Sequence, residues 1–140
     1  MAARKFPNVA AWRTIAGREY YFRSKAEYRY ALYLQFLMKN LEILKWEHEP
    51  ETFWFEGIKR GVTSYKPDFK VYYDRTEPST RYGADVQHYW VEVKGYMDPK
   101  SATKIKRFRK YFPNETLIVI DKKWFALNYK KLKGFIKGWE

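Results

Sequence analysis

Beyond residue 23 the apolar positions change period several times, and each change marks a predicted element. Tyr30, Ala31, Leu34, Leu37, Met38 and Leu41 recur at three- and four-residue spacing, the period of one helix face. Ser24 stands before them with Glu27 three residues on, a capping-box pattern, so the spacing predicts a helix over 24–40. Short strand-like runs follow at Ile43–His48 and Thr52–Phe55, separated by Pro50, and Gly57 and Gly61 bracket a turn. Tyr65–Tyr73 alternates: Phe69, Val71 and Tyr73 point one way, Asp68, Lys70 and Tyr72 the other. His88–Lys94 alternates as well, with Trp90, Glu92 and Lys94 on one face and Val91 and Val93 on the other. Asp74–His88 between them reads as a polar loop of 15 residues, long for a hairpin and hence functional or a tolerated insertion.

Asp98 caps a second predicted helix, and Pro99 sits at its first position, where a missing N–H costs little. Ala102, Ile105, Phe108 and Phe112 form its apolar stripe, and Pro113 and Asn114 stop it. Thr116–Ile120 is a continuous apolar run and reads as a buried strand. A last basic helix is predicted over about 124–137, with Leu132 and Ile136 facing inward and Gly134 weakening it. Residues 1–22 form a mixed basic and aromatic arm to which the pattern assigns no element. The expected fold is α/β, a central mixed β-sheet flanked by helices in the order α-β-β-β-α-β. It forms a single domain over 1–140, with the arm at 1–22, a core at 24–121 and a C-terminal basic helix at 122–140.

Composition narrows the chemistry. The 140 residues suffice for one domain with its own core. Cysteine is absent, which removes disulfides, cysteine-based zinc sites, iron–sulfur clusters and thiol catalysis. Only His48 and His88 offer imidazoles, so catalysis must run on carboxylates, Lys, Tyr or a metal held by oxygen. No apolar run reaches the roughly 18 residues of a membrane span. The start lacks the apolar stretch of a secretory signal, so the expected compartment is the cytoplasm, with no membrane partner. The formal charge is +12 and aromatics make up 21% of the chain, a pairing that suits nucleic acid because cations neutralise phosphates and flat rings stack on bases.

Three acids and one base stand out. Asp68 follows Pro67 in a predicted strand, and Glu92 and Lys94 share one face of another. Glu27 lies on the stripe of the first helix that faces the sheet. Burying three carboxylates near one another is costly unless a cation neutralises them. Mg²⁺, or Mn²⁺ in its place, is a hard cation that prefers such oxygens.

Pro67-Asp68 and Glu92-Val93-Lys94, with Glu27 on the preceding helix, resemble the PD-(D/E)XK nuclease superfamily. The order of elements over 24–121 looks like that superfamily's restriction-endonuclease-like core. The runs Phe22-Arg-Ser-Lys-Ala-Glu-Tyr-Arg-Tyr-Ala-Leu, Lys66-Pro-Asp-Phe and Val91-Glu-Val-Lys-Gly-Tyr are similar to small phage-encoded endonucleases, among them Holliday junction resolvases. The resemblance implies an Mg²⁺-dependent deoxyribonuclease, structure-selective for branched DNA, in which Asp68, Glu92 and the backbone carbonyl of Val93 ligate the metal. Lys94 would orient or activate the water, and Glu27 would tune the site or hold a second ion. The 23 residues between Asp68 and Glu92 exceed the shortest spacing of the motif, which the long loop explains.

Each residue also has a plainer role. Glu27 can be only the partner of Ser24 in a capping box, Asp68 can cap a turn, and Glu92 and Lys94 can be an exposed cross-strand pair. Lys100, Lys104, Arg107 and Lys110 on the second helix are candidate phosphate contacts or a solvated face. Glu47, His48 and Glu49 are read as structural, because neighbours in a strand point to opposite faces. The stripe Trp46, Phe53, Trp54 and Phe55 is read as core or dimer interface. The competing functions are a non-catalytic basic DNA-binding protein and a monomeric nickase or exonuclease of the same superfamily. Cutting a four-way junction needs two sites, hence a homodimer.

Overall fold

The computed structural model describes residues 10–76 and 85–139. The chain opens on a hairpin of β1 (Ala11–Ile15) and β2 (Arg18–Phe22). Its two-residue turn has Ala16 at φ +50° and Gly17 at φ +80°, positive at both positions as the natural twist of a tight hairpin requires. Helix α1 (Lys25–Lys39) follows, with Ser24 as N-cap accepting from the Glu27 N–H at 3.1 Å. Then come β3 (Lys45–His48), β4 (Phe53–Trp54), β5 (Ser64–Tyr65), β6 (Phe69–Asp74) and β7 (Val86–Val93). Helix α2 (Pro99–Tyr111), β8 (Leu117–Ile120) and α3 (Lys122–Lys133) complete the fold.

The main sheet has the order β3-β6-β7-β8. Its first three strands are antiparallel neighbours, while β8 runs parallel to β7, as it must when α2 carries the chain back across the sheet. The strand alternation divides the side chains between two layers. Phe69, Val71 and Val91, with little or no exposed surface, meet Tyr30, Ala31 and Leu34 of α1. On the opposite face Trp90 packs against Ile105 and Phe108 of α2 and against Phe53 and Tyr65 of the small β4–β5 sheet. Each buried Val, Leu, Ile or Phe among them contributes about 1.5–3 kcal/mol on leaving water. Helix α3 lies on the α1 side, where the Trp124 ring meets Tyr30 at 5.2 Å and Tyr33 at 5.0 Å. The architecture is α/β, a mixed four-stranded sheet with three helices among the described residues. None of these helices is long and apolar enough to cross a membrane.

Several expected boundaries change. The single strand expected over Tyr65–Tyr73 is two: β5 pairs with β4, and only from Phe69 does the chain enter the main sheet. Pro67, which has no N–H to give a ladder, lies at the break. The expected loop Asp74–His88 is shorter, because β6 and β7 stay paired to Asp74↔Val86. Asp74 fastens its mouth by accepting from the N–H groups of Thr76 and Asp85, and 77–84 lie outside the described residues. The strand read as buried, β8, is an edge strand whose Ile118 is 41% exposed. An apolar run satisfies an edge as well as a centre when one face is covered. Helix α3 starts two residues early, at the Asp121 cap, and ends before Gly134, with Leu132 and Ile136 buried as expected. Of the aromatic stripe, Trp46, Phe53 and Phe55 are buried and Trp54 is exposed.

Candidate active site

The end of β7 and the start of β6 bring Asp68 and Glu92 together. Asp68 precedes β6 by one residue, and its Oδ2 accepts from the Val93 N–H of the neighbouring strand at 2.7 Å. Its own carbonyl accepts from the Glu49 N–H at 2.8 Å, which ties the end of β3 to the same corner. Glu92 projects toward β5, and its Oε1 accepts from the Tyr65 hydroxyl at 2.6 Å. The other oxygen, Oε2, lies 3.7 Å from the Lys94 ammonium. Both acids are buried, and Lys94 is partly exposed.

Electrostatics register how closely they sit. Burial pushes the Asp68 carboxyl well above its ordinary value, and the charges of Glu92 and then Glu27 push it further; the Val93 N–H and Lys94 pull it back. The Glu92 carboxyl is also raised by burial, against the Tyr65 hydroxyl and Lys94, and with Glu27 adding to the rise. Lys104 on α2 lowers it slightly, so that ammonium lies within electrostatic reach of the site. Burial and Glu92 hold Tyr65 well above the usual phenol value, which keeps it a hydrogen-bond donor.

Glu27 forms one half of the expected capping box, and its carboxylate goes elsewhere than the Ser24 N–H. Its backbone N–H completes the cap on Ser24, and its Oε2 accepts from the Arg23 N–H at 3.3 Å. Its Oε1 meets His48 Nε2 at 2.6 Å. Among the described residues, the group of three whose donor atoms all come within 4.8 Å of one another is Glu27, His48 and Glu49 rather than Glu27, Asp68 and Glu92. Glu27 lies within electrostatic reach of Asp68 and Glu92, while its carboxylate is engaged by His48 and the Arg23 N–H.

The premise that Glu47, His48 and Glu49 alternate between faces fails at its last residue. Glu49 has φ +47°, so the alternation of β3 ends at His48 and Glu49 turns back toward it, its Oε1 3.9 Å from His48 Nε2. Glu47 obeys alternation and accepts from the Tyr72 hydroxyl at 2.6 Å on the opposite face. The sequence offered one signal for this bend, the following Pro50.

The expected phosphate contacts divide. Lys100 and Lys110 are exposed and Lys104 is half-buried. Arg107 Nη1 donates to the Val62 carbonyl, which fixes α2 to the β4–β5 turn and commits part of that guanidinium. Oxygen donors from Asp68 and Glu92, buried and mutually repelling, fit a hard divalent cation. No protein-family model matches the chain, and no curated protein or solved structure matches it.

Proposed function

We propose that this protein is a metal-dependent nuclease that hydrolyses DNA phosphodiester bonds, with a restriction-endonuclease-like core of the PD-(D/E)XK kind and a preference for branched DNA. The observation that carries the reading is the pair of buried carboxylates on adjacent strands, Asp68 anchored to the Val93 N–H and Glu92 beside Lys94. A structural ion pair would not need a second buried acid whose charge raises the first. The order α1, β3, β6, β7, α2, β8 supports the same core.

Asp68 and Glu92 would hold Mg²⁺ or Mn²⁺, with the Val93 carbonyl as the further ligand expected from the resemblance. Such an ion, when bound, lowers the pKa of its water and stabilises charge on the phosphoryl oxygens. Val93 and Tyr65 hold the two carboxylates in fixed orientations, by an N–H and an O–H bond to one oxygen of each, and the Lys94 ammonium lies 3.7 Å from the other oxygen of Glu92. The Lys94 ammonium is placed to orient the attacking water or to meet the negative charge that develops. Glu27, held by His48, adds negative potential that favours the cation. The basic face of α2 would guide the backbone of the substrate.

The test is cleavage of four-way-junction and linear DNA in Mg²⁺. Lys94→Ala should lose about 10²-fold or more in rate, the scale of removing one charge-stabilising group, and Asp68→Ala at least as much. Calorimetry with Mn²⁺ should show a saturable site that vanishes in Asp68→Ala/Glu92→Ala. Wild-type cutting by both single variants would remove the proposed site. A basic DNA-binding protein without catalysis would bind DNA but show no such Mn²⁺ site. Light scattering separates a two-site dimer from a monomeric nickase or exonuclease.

A further inference from the structure

Glu92 takes its hydroxyl partner from outside the main sheet. Tyr65 stands on β5, paired opposite Phe53 of β4. That two-stranded sheet is fixed to the layer beneath it. The Phe53 ring meets Trp90 at 5.0 Å and Phe108 of α2 at 4.8 Å, both edge-on, and the Val62 carbonyl just before β5 accepts from Arg107 of α2. The Tyr65 ring packs on Phe108 at 5.4 Å and is 3% exposed. A phenol so enclosed cannot swing out to water, and its hydroxyl needs a partner where it lies. That partner is Glu92 Oε1, at 2.6 Å.

Asp68 is treated alike in the same corner. Its Oδ2 accepts from the Val93 N–H at 2.7 Å, so a protein donor holds one oxygen of each acid. The Lys94 ammonium stands 3.7 Å from Glu92 Oε2, too far for a hydrogen bond. A donor seated on one carboxylate oxygen opposes a two-oxygen grip on a cation, because its proton repels the ion. Two acids that each give one oxygen suit an ion that keeps several waters and uses few protein ligands, which is the habit of Mg²⁺. Ca²⁺ gathers about six to eight oxygens and readily takes both from one carboxylate. The Val93 donor is backbone and out of reach of substitution, whereas the Tyr65 donor can be removed.

We infer that Tyr65 is a positioning residue that sets which cation the site takes: by holding Glu92 Oε1, its hydroxyl favours a small divalent ion that keeps its waters and disfavours Ca²⁺. This rests on the nuclease reading for the ion's place between Asp68 and Glu92, and adds to it the choice of ion. Tyr65→Phe would keep the ring packed on Phe108 and release Oε1, so that Glu92 could offer both oxygens.

The test is calorimetric titration of the DNA-free chain with Mg²⁺, Mn²⁺ and Ca²⁺ in turn. Tyr65→Phe should weaken Mg²⁺ and Mn²⁺ binding about tenfold, the scale of losing a hydrogen-bond partner of a metal ligand, and should leave Ca²⁺ unchanged or tighter. The ratio of Ca²⁺ to Mg²⁺ affinity then rises about tenfold or more. Phe53→Leu loosens the same small sheet without touching the hydroxyl. It should lower Tm and leave that ratio alone, which separates the orientation of Glu92 from support of the fold. Equal weakening of all three ions by Tyr65→Phe, or the same change of ratio in Phe53→Leu, would overturn the role. So would a wild-type chain that binds Ca²⁺ far more tightly than Mg²⁺, a result that needs no variant. Cutting of four-way-junction DNA by the wild-type chain in Mg²⁺ is followed in parallel. A Tyr65-dependent ratio without cutting fails the nuclease reading alone, and cutting with an unchanged ratio fails the Tyr65 role alone. No saturable site for any of the ions removes both.

Discussion

The Asp68 side chain shows how a site can work against its own fold. Its pKa is raised by burial and by neighbouring negative charge, so the folded chain holds that proton more tightly than the unfolded chain does. Between the unfolded value and the raised folded one, the native state binds more protons, and stability falls as pH rises. Above the folded value the penalty is complete. Without a divalent cation, Asp68→Asn should therefore raise Tm at neutral pH by a few degrees and flatten the decline between mildly acidic and neutral pH, since an amide can still accept the Val93 N–H. Thermal melts in EDTA across that range check it, and an unchanged or lower Tm at neutral pH would contradict it. With Mg²⁺ present the wild-type chain should recover the difference through binding to the native state. The variant should not. The burial of Asp68 and Glu92, with Lys94 beside the latter, was legible in the sequence because charged residues amid strand apolars have few cheap explanations. His48 was not, because its partnership with Glu27 depends on one residue, Glu49, leaving the strand conformation.

At the scale of elements, the starts of α1 and α2 were readable because their caps are local chemistry, while the Asp121 cap of α3 was missed. Ser24, Asp98 and Asp121 each accept from a backbone N–H three residues on. Strand boundaries were less readable. Whether Tyr65 joins β6 or pairs with β4, and whether β8 is central or at the edge, is decided by contacts far along the chain. The β1–β2 hairpin was missed because its turn is Ala16-Gly17 and lacks the Asn-Gly or Asp-Gly signal of a tight turn. That irregularity is itself testable. Ala16 adopts φ +50°, a conformation costing roughly 1 kcal/mol for an L residue other than Asn or Asp. Ala16→Asn should raise Tm by about 2–4 °C without altering binding to any DNA probe. A neutral or destabilising result would mean that the turn is not held as described.

For the whole molecule, the charge of +12 has to act through particular surfaces, and α2 is the basic element within electrostatic reach of the candidate site. Lys100 and Lys110 are exposed on α2, and the Lys104 ammonium reaches Glu92 electrostatically, so this helix can lay a phosphate backbone across the site. Backbone contacts release counterions, and each one adds about 0.9 to the slope of log affinity against log salt for duplex DNA. Lys100→Ala/Lys110→Ala should therefore lower that slope by up to about 2 and weaken linear and four-way-junction DNA alike. Titrations of the wild-type chain and this variant at several salt concentrations check it. An unaltered slope in the double lysine variant would take α2 out of the DNA-facing surface and leave its basic stripe as solvated cover for the Ile105–Phe108 core.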